Sequence, residues 1–251
     1  MRNITFDNIE KVGHIIYENE MYQHVHYPEM LSRYDSNYIQ FKKMPSLTAF
    51  KESEQMLHNF HQQHHQQHVK FIFPANEKIS GAIHNYLLEE SYDIGFLELY
   101  TIEPSQFVTS THRQVDIQPV TEDNLEVFLK LQYLEDLRYG ETFATEKQAF
   151  LKRRFQDAHK HQLIAYYEGN PVGSVELIEE DRTVEIDNLF VQEAFQRRGI
   201  GTQLQQYVME NFHHKMVILV ADGEDTARDM YQKQNYVYQG FQYEVLKVHQ
   251  D

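Results

Sequence analysis

No cysteine occurs among the 251 residues. Disulfides, a thiolate nucleophile and a cysteine-held metal are therefore excluded, and the composition suits a reducing, cytoplasmic setting. No apolar run approaches the ~18 residues of a membrane span, and the opening Arg2-Asn3-Ile4-Thr5-Phe6-Asp7 does not read as a secretory leader. The phosphate-binding pattern G-x-x-x-x-G-K-S/T is absent. Positive charge is scarce: 23 Lys and Arg face 38 Asp and Glu, a net charge of -15. Such a chain repels nucleic acid and anionic lipid at long range and favours cationic partners such as amines; the same charge also keeps a protein in solution. What is present suffices for folding. Hydrophobic residues make up 41%, with 17 Tyr and 16 Phe, and the length suits two domains.

The most informative run is Asp187-Asn188-Leu189-Phe190-Val191-Gln192-Glu193-Ala194-Phe195-Gln196-Arg197-Arg198-Gly199-Ile200-Gly201-Thr202. An apolar strand ends, a short turn follows, and two glycines open a helix whose Leu204, Tyr207, Val208 and Phe212 recur at helical spacing. The first turn of a helix carries backbone N–H groups without intrahelical acceptors, with partial positive charge. Glycines let a pyrophosphate approach those donors, and Arg197 and Arg198 can pair with phosphates. The bland reading is a tight strand-to-helix turn with an arginine pair facing water.

Around this turn the pattern predicts a strand over 115–120, a helix capped by Thr121, a helix from Thr145 to Ala158, and strands over 162–168, 172–179 and 183–191. The long helix, a strand over 216–221, a helix over 226–234 and strand material from Tyr236 to Val248, broken near Gln239-Gly240, follow. This mixed order implies an α/β domain, a mixed sheet with helices on both faces. On the strand before the turn, Glu185 and Asp187 stand two residues apart and project from one face, either into a site or into solvent.

Gln196-Arg197-Arg198-Gly199-Ile200-Gly201 fits Q/R-x-x-G-x-G/A and resembles the acetyl-coenzyme A pyrophosphate loop of the GNAT superfamily of N-acetyltransferases. The element order over residues 114–251 is similar to that fold in full. The resemblance implies acetyl-CoA as co-substrate with no metal, held by Gln196, Arg197, Arg198, Gly199, Ile200, Gly201 and Thr202 and by the bulged strand Leu189, Phe190 and Val191. It implies that Glu185, eleven residues before Gln196, acts as general base, directly or through water, with Asp187 assisting or binding the acceptor's positive charge. Ala227-Arg228-Asp229-Met230-Tyr231-Gln232-Lys233-Gln234-Asn235-Tyr236 is similar to the family's A-x-x-L-Y-x-x-x-G-F, which makes Tyr231 the acid that protonates the leaving thiolate. Asn235 replaces the usual glycine, and Glu224 stands where an asparagine often contacts the coenzyme, with Asp225 as a helix cap. The implied reaction is direct acetyl transfer in a ternary complex to a primary amine on a small molecule or a protein. The tract Glu135 to Glu141 lies where the family recognises its acceptor, and the enzyme is expected as a monomer or homodimer. The rival is a non-catalytic acyl-CoA-binding sensor or scaffold.

Residues 1–113 repeat a β-α-β-α-β order: strand 34–41, helix 46–67, strand 69–73, helix 79–90 and strand 93–100. Leu87 to Asp93 takes the place of Met230 to Tyr236. Lys42-Lys43-Met44-Pro45-Ser46 lacks glycine where the pyrophosphate turn would stand, so this half is expected to be a degenerate, non-catalytic GNAT-like domain. Two further features receive structural readings. His61, His64, His65 and His68 at helical spacing are expected on a solvated helix end rather than around zinc, and Phe143, Phe150, Phe155, Tyr166 and Tyr167 in the core rather than around an acceptor pocket.

Overall fold

The computed structural model describes residues 4–109, 115–223 and 227–249. In chain order the elements are β1 (His14–Glu18), β2 (Tyr22–His26), β3 (Tyr38–Phe41), α1 (Leu47–Gln63), β4 (His68–Ile72), α2 (Gly81–Glu89) and β5 (Asp93–Ile102). They continue with β6 (Val115–Pro119), α3 (Leu125–Asp136), α4 (Glu141–Phe155), β7 (Lys160–Tyr167), β8 (Asn170–Glu179), β9 (Thr183–Val191), α5 (Ile200–Asn211), β10 (Met216–Asp222), α6 (Ala227–Lys233) and β11 (Val237–Val248). The architecture is mixed α/β throughout. Two compact units emerge, each assembled from three segments: residues 1–10, 100–220 and 226–238 form one, and 11–99, 221–225 and 239–251 the other. The 113/114 division read from the sequence falls within the undescribed stretch 110–114, and Glu224, Asp225 and Thr226 also lie outside the described residues.

In the first of these units the sheet runs β6-β7-β8-β9-β10, antiparallel except for the parallel β9–β10 pair. This is the expected meander feeding a crossover helix. The crossover is α5, whose Ile200, Leu204 and Val208 are buried at spacings of four. Each such side chain contributes roughly 1.5–3 kcal/mol by leaving water. Helix boundaries shift from expectation. Asn124, rather than Thr121, caps α3, because the Asn124 side chain accepts the Thr121 N–H at 2.7 Å and donates to Pro119 O at 3.1 Å, holding a turn ahead of the helix. β11 runs unbroken past Gln239-Gly240. α6 closes with Tyr236 N–H donating to Tyr231 O and Asn235 N–H to Gln232 O, and Asn235 takes the left-handed conformation (φ +69) that glycine usually fills.

The other unit orders its strands β1-β2-β3-β4-β11, with β3–β4 parallel and the other pairs antiparallel. Its core is aromatic: Phe41, Phe50, Phe71 and Phe73 are buried together with Ile39, Leu57, Ile83 and Leu87. The β1–β2 hairpin escapes sequence reading because all of β1 is exposed and β2 alternates histidine with other residues. α2 ends as α6 does, with Tyr92 N–H donating to Leu87 O and Ser91 N–H to Leu88 O. Hydrogen bonding therefore equates Leu87 with Tyr231, one residue away from the pairing read from sequence.

The histidine tract contradicts its expectation. α1 stops at Gln63, His65 turns the chain at φ +58, and β4 begins at His68. The reversal folds His68 back beneath the last helical turn. His61 (0% exposed) and His68 (1%) are buried, with His61 Nδ1 2.6 Å from His68 O and His68 Nε2 3.0 Å from Asn37 O. His24 and His26 of β2 join them: His24 lies 6.5 Å from His61 and His26 4.9 Å from His64, ring centre to ring centre, with Phe60 edge-on to His24 and His26 and stacked on His64. Of the aromatic residues placed in the core, Phe150 is buried while Phe143, Phe155, Tyr166 and Tyr167 are only partly covered.

Candidate active site

The strand-to-helix turn has the geometry its glycines allow. Gly199 caps α5 at φ +80, a left-handed conformation that glycine adopts without a Cβ penalty, and supplies no side chain to the first-turn donors. The first intrahelical bond is Gln203 N–H to Gly199 O, so the N–H groups of Ile200, Gly201 and Thr202 precede it. α1 and α2 differ: Ser46 and Ser80 accept from Ala49 N–H and Ile83 N–H with their own hydroxyls. α4 also opens on a glycine, Gly140, but carries Glu141 in its first turn. Arg197 (φ +60) is exposed. Arg198 reaches Ala194 O at 3.4 Å and lies over the rings of Tyr167 and Phe195.

Next to the turn, β9 is irregular. Ser174 pairs with Phe190 but Glu176 with Asp187, so β9 carries one extra residue, and Asn188 there has φ +47. The bulge centres on Asn188 and Leu189, at the start of the Leu189–Val191 stretch. Gly173 lets β8 approach it closely, since a Cβ at 173 would stand 2.7 Å from Phe190 O. β9 pairs with β10 only from Thr183/Met216 to Ile186/Leu219, although both strands continue. Their divergence leaves Leu189, Phe190 and Val191 at a splayed end. Gln196 Nε2 donates to Val191 O at 3.0 Å, and the position of a Cβ at Gly201 lies 3.7 Å from Leu189 Cδ2. Turn and bulge are thus one assembly. α6 is tied to it by Gln234 Nε2 donating to Thr202 Oγ1 at 3.2 Å, which brings Tyr231's helix to the start of α5. Tyr231 itself is partly buried, its ring 5.4 Å from Tyr100 and 5.3 Å from Tyr236.

Glu185 and Asp187 share a face of β9, as alternation requires. Glu185 is 7% exposed, whereas the Asp187 side chain is 39% exposed. Burial and then the like charge of Asp187 push the Glu185 carboxyl up to about 8, despite a hydrogen bond from Glu10 N–H (2.8 Å) and the field of Arg154. Arg154 organises the surroundings. Its Nε donates to Glu176 Oε2 (2.9 Å), Nη1 to Glu10 Oε2 (2.5 Å), and Nη2 stands 3.8 Å from Asp187. Lys160 also binds the Glu10 carboxylate. Burial works against ionised Glu10, but the Arg154 and Lys160 cations outweigh it and hold the carboxyl below its usual range. Behind them Asn188 donates to Gln132 (3.0 Å), and Gln132 to Ser174 (2.8 Å). Sequence reading missed Glu10, Arg154, Glu176 and Gln132; periodicity marks none of them, and Glu10 lies 175 residues from its partner.

The acidic tract before α4 is partly occupied by its own fold. Asp136 is buried against Lys147 at 2.9 Å, joining α3 to α4, and Glu135 pairs with Arg138 at 2.7 Å. Among the described residues no group of three or more His, Asp or Glu side chains is placed to hold a metal, and no helix is long and apolar enough to cross a membrane.

Comparisons with known proteins bear on the family and the fold. Residues 4–100 match a domain of unknown function (DUF5613), and residues 117–247 match the acetyltransferase (GNAT) domain. None of the curated proteins matches the chain. A functionally unknown conserved protein from Staphylococcus epidermidis is 36% identical, with 98% of each chain covered and a TM-score of 0.91. A GCN5-related N-acetyltransferase from Kribbella flavida shares the fold at 12% identity, with 94% and 89% covered and a TM-score of 0.58. A tandem GNAT protein from the clavulanic acid biosynthesis pathway shares it at 8% identity, with 85% and 76% covered and a TM-score of 0.50. The chain belongs to the GNAT family and is an acyltransferase.

Proposed function

We propose that this acyltransferase moves the acetyl group of acetyl-CoA directly to a primary amine within a ternary complex. The observation that carries the reading is the glycine-capped start of α5 set against the bulge of β9, with a buried carboxyl on the same strand. The residues fit the coenzyme: a pyrophosphate accepts hydrogen bonds from Ile200, Gly201 and Thr202 N–H, where no capping side chain competes. Gln196 and Arg198 brace the turn, Arg197 supplies charge, and Leu189, Phe190 and Val191 offer main-chain groups to the pantetheine arm. Glu185 takes a proton from the acceptor's ammonium, which frees the lone pair for attack. A carboxyl that titrates near 8 matches this task better than one at 4.5. Asp187, more exposed, holds the cationic acceptor. As the C–N bond forms and the C–S bond breaks, Tyr231 protonates the departing thiolate and recovers a proton from the substituted nitrogen.

Of the 1–113 half read from the sequence, residues 11–99 are read as a degenerate, non-catalytic GNAT-like domain, whereas Glu10 belongs to the other unit. The α1 start of this domain is capped by its own Ser46, and Leu87 stands where Tyr231 stands in the other half.

A screen of primary amines for acetyl-CoA-dependent thiol release tests the assignment. Glu185→Gln and Tyr231→Phe should each lower kcat while acetyl-CoA affinity stays the same. Tight coenzyme binding without thiol release for any amine or lysine-bearing protein would make the chain a sensor instead.

A further inference from the structure

Glu185 does not stand alone on its strand; the first residues of the chain reach it. Thr5 opens a short turn in which Thr5 Oγ1 accepts Asp7 N–H and Thr5 N–H donates to Asn8 Oδ1, and Phe6 is buried beneath it. This anchored turn delivers Glu10 to two tasks at once. Its main-chain N–H donates to Glu185 Oε2 at 2.8 Å, and its side chain takes Arg154 and Lys160. We propose that Glu10 is a positioning residue of the active site: its N–H holds the Glu185 carboxyl in one orientation, and its carboxylate draws Arg154 away from Glu185 and Asp187.

The inference rests on the reading of Glu185 as the base. Two opposed effects make it testable. The Glu10 N–H favours ionised Glu185, while the Glu10 carboxylate disfavours it, directly by like charge and indirectly by occupying Arg154. The other charged groups around Glu185 are Asp187 on β9, Arg154 on α4, Glu176 on β8 and Lys160 on β7; β10 presents Ile218 opposite it. Arg154 has three carboxylates to serve, and the Glu10 contact is the one made by Nη1. Removing that carboxylate leaves the guanidinium to Glu176 and Asp187, nearer the reacting carboxyl.

The full-length chain labelled with [δ-13C]glutamate allows the Glu185 signal to be assigned by its loss in Glu185→Gln and titrated by NMR. In Glu10→Gln, which keeps the N–H and removes the charge, the Glu185 titration should move down by about one pH unit. In Glu10→Pro, which removes the N–H, it should move up relative to Glu10→Gln. General loosening of the fold would admit water and move both variants down alike. Unchanged titration in Glu10→Gln, or equal downward movement in both variants, overturns the proposal; if Glu10→Pro does not fold, a downward shift in Glu10→Gln at an unchanged melting temperature upholds it, and a shift that comes with a lowered melting temperature overturns it. Thiol release from acetyl-CoA with the amine panel separates this result from the parent reading. Full turnover in Glu185→Gln removes the base assignment, whereas loss of turnover there with an unmoved titration in Glu10→Gln removes only the role of Glu10.

Discussion

Acid should unfold the histidine-rich unit well before it protonates ordinary carboxylates. His24, His61 and His68 are 3%, 0% and 1% exposed, and His24 Nε2, His61 Nε2 and His68 Nδ1 are buried without a protein partner. Burial, reinforced by neighbouring imidazoles, depresses them to about 4, about 4 and about 3. An imidazole in the unfolded chain titrates near 6.5. The folded state therefore binds fewer protons than the unfolded one between these values. The stability the neutral rings contribute is full above 6.5 and is lost as pH falls toward 4. Moving from pH 7 to pH 5 costs about 2 kcal/mol per ring, of order 5 kcal/mol for the three together. That equals the whole stability of a marginal domain. Glu185 works in the opposite direction, by roughly 2 kcal/mol over the same interval, because its folded value is raised. The measurement is therefore made in a Glu185→Gln background, by urea unfolding followed by circular dichroism at pH 7, 6 and 5. Each proton taken up on unfolding appears as about 1.4 kcal/mol per pH unit. His61→Gln, whose amide can still donate to His68 O, should remove about one proton from that slope. Stabilities at pH 7 and pH 5 that agree within about 1 kcal/mol would refute the neutral packing of this cluster.

Three further outcomes follow from the site. Gly201→Ala meets only ordinary contacts, 3.7 Å to Leu189 Cδ2 and 3.9 Å to Val191 Cγ2, and relieves a helical glycine. Thermal melting should show stability unchanged or raised by about 0.5–1 kcal/mol, while calorimetry shows acetyl-CoA binding weakened roughly tenfold, about 1.4 kcal/mol; equal affinity would displace the pyrophosphate from this turn. The turnover of Glu185 as a base requires its ionised form, so kcat/KM should climb with pH to a limb near 8 that vanishes in Glu185→Gln. Asp187→Asn should raise KM for the amine more than it lowers kcat, and a loss confined to kcat would transfer the proton-accepting role to Asp187.

What could be read in advance divides along a physical line. The α5 turn was legible because its cause is local: Gly199 must adopt φ +80, and the donors after it follow from helix geometry alone. β9 was legible from Thr183 to Val191 for a similar reason, since apolar residues and the Glu185–Asp187 alternation lie within one strand. The histidine tract misled because periodicity holds only while the helix continues. A single left-handed residue, His65, converted a helix face into a helix and a strand packed against each other, and the partners His24 and His26 lie about forty residues upstream in a hairpin with little apolar signature. The surroundings of Glu185 show the same limit in a sharper form. Glu185 on an isolated solvated strand would titrate like any glutamate; its raised value exists only because the folded chain buries it and sets Asp187, Glu10 and Arg154 around it. Motif spacing can point to the carboxyl but not to its proton affinity, which is set by residues from three separate segments. Substitutions at Glu10 or Arg154, which no motif covers, should therefore retune the pH response of the enzyme while the motif itself stays intact.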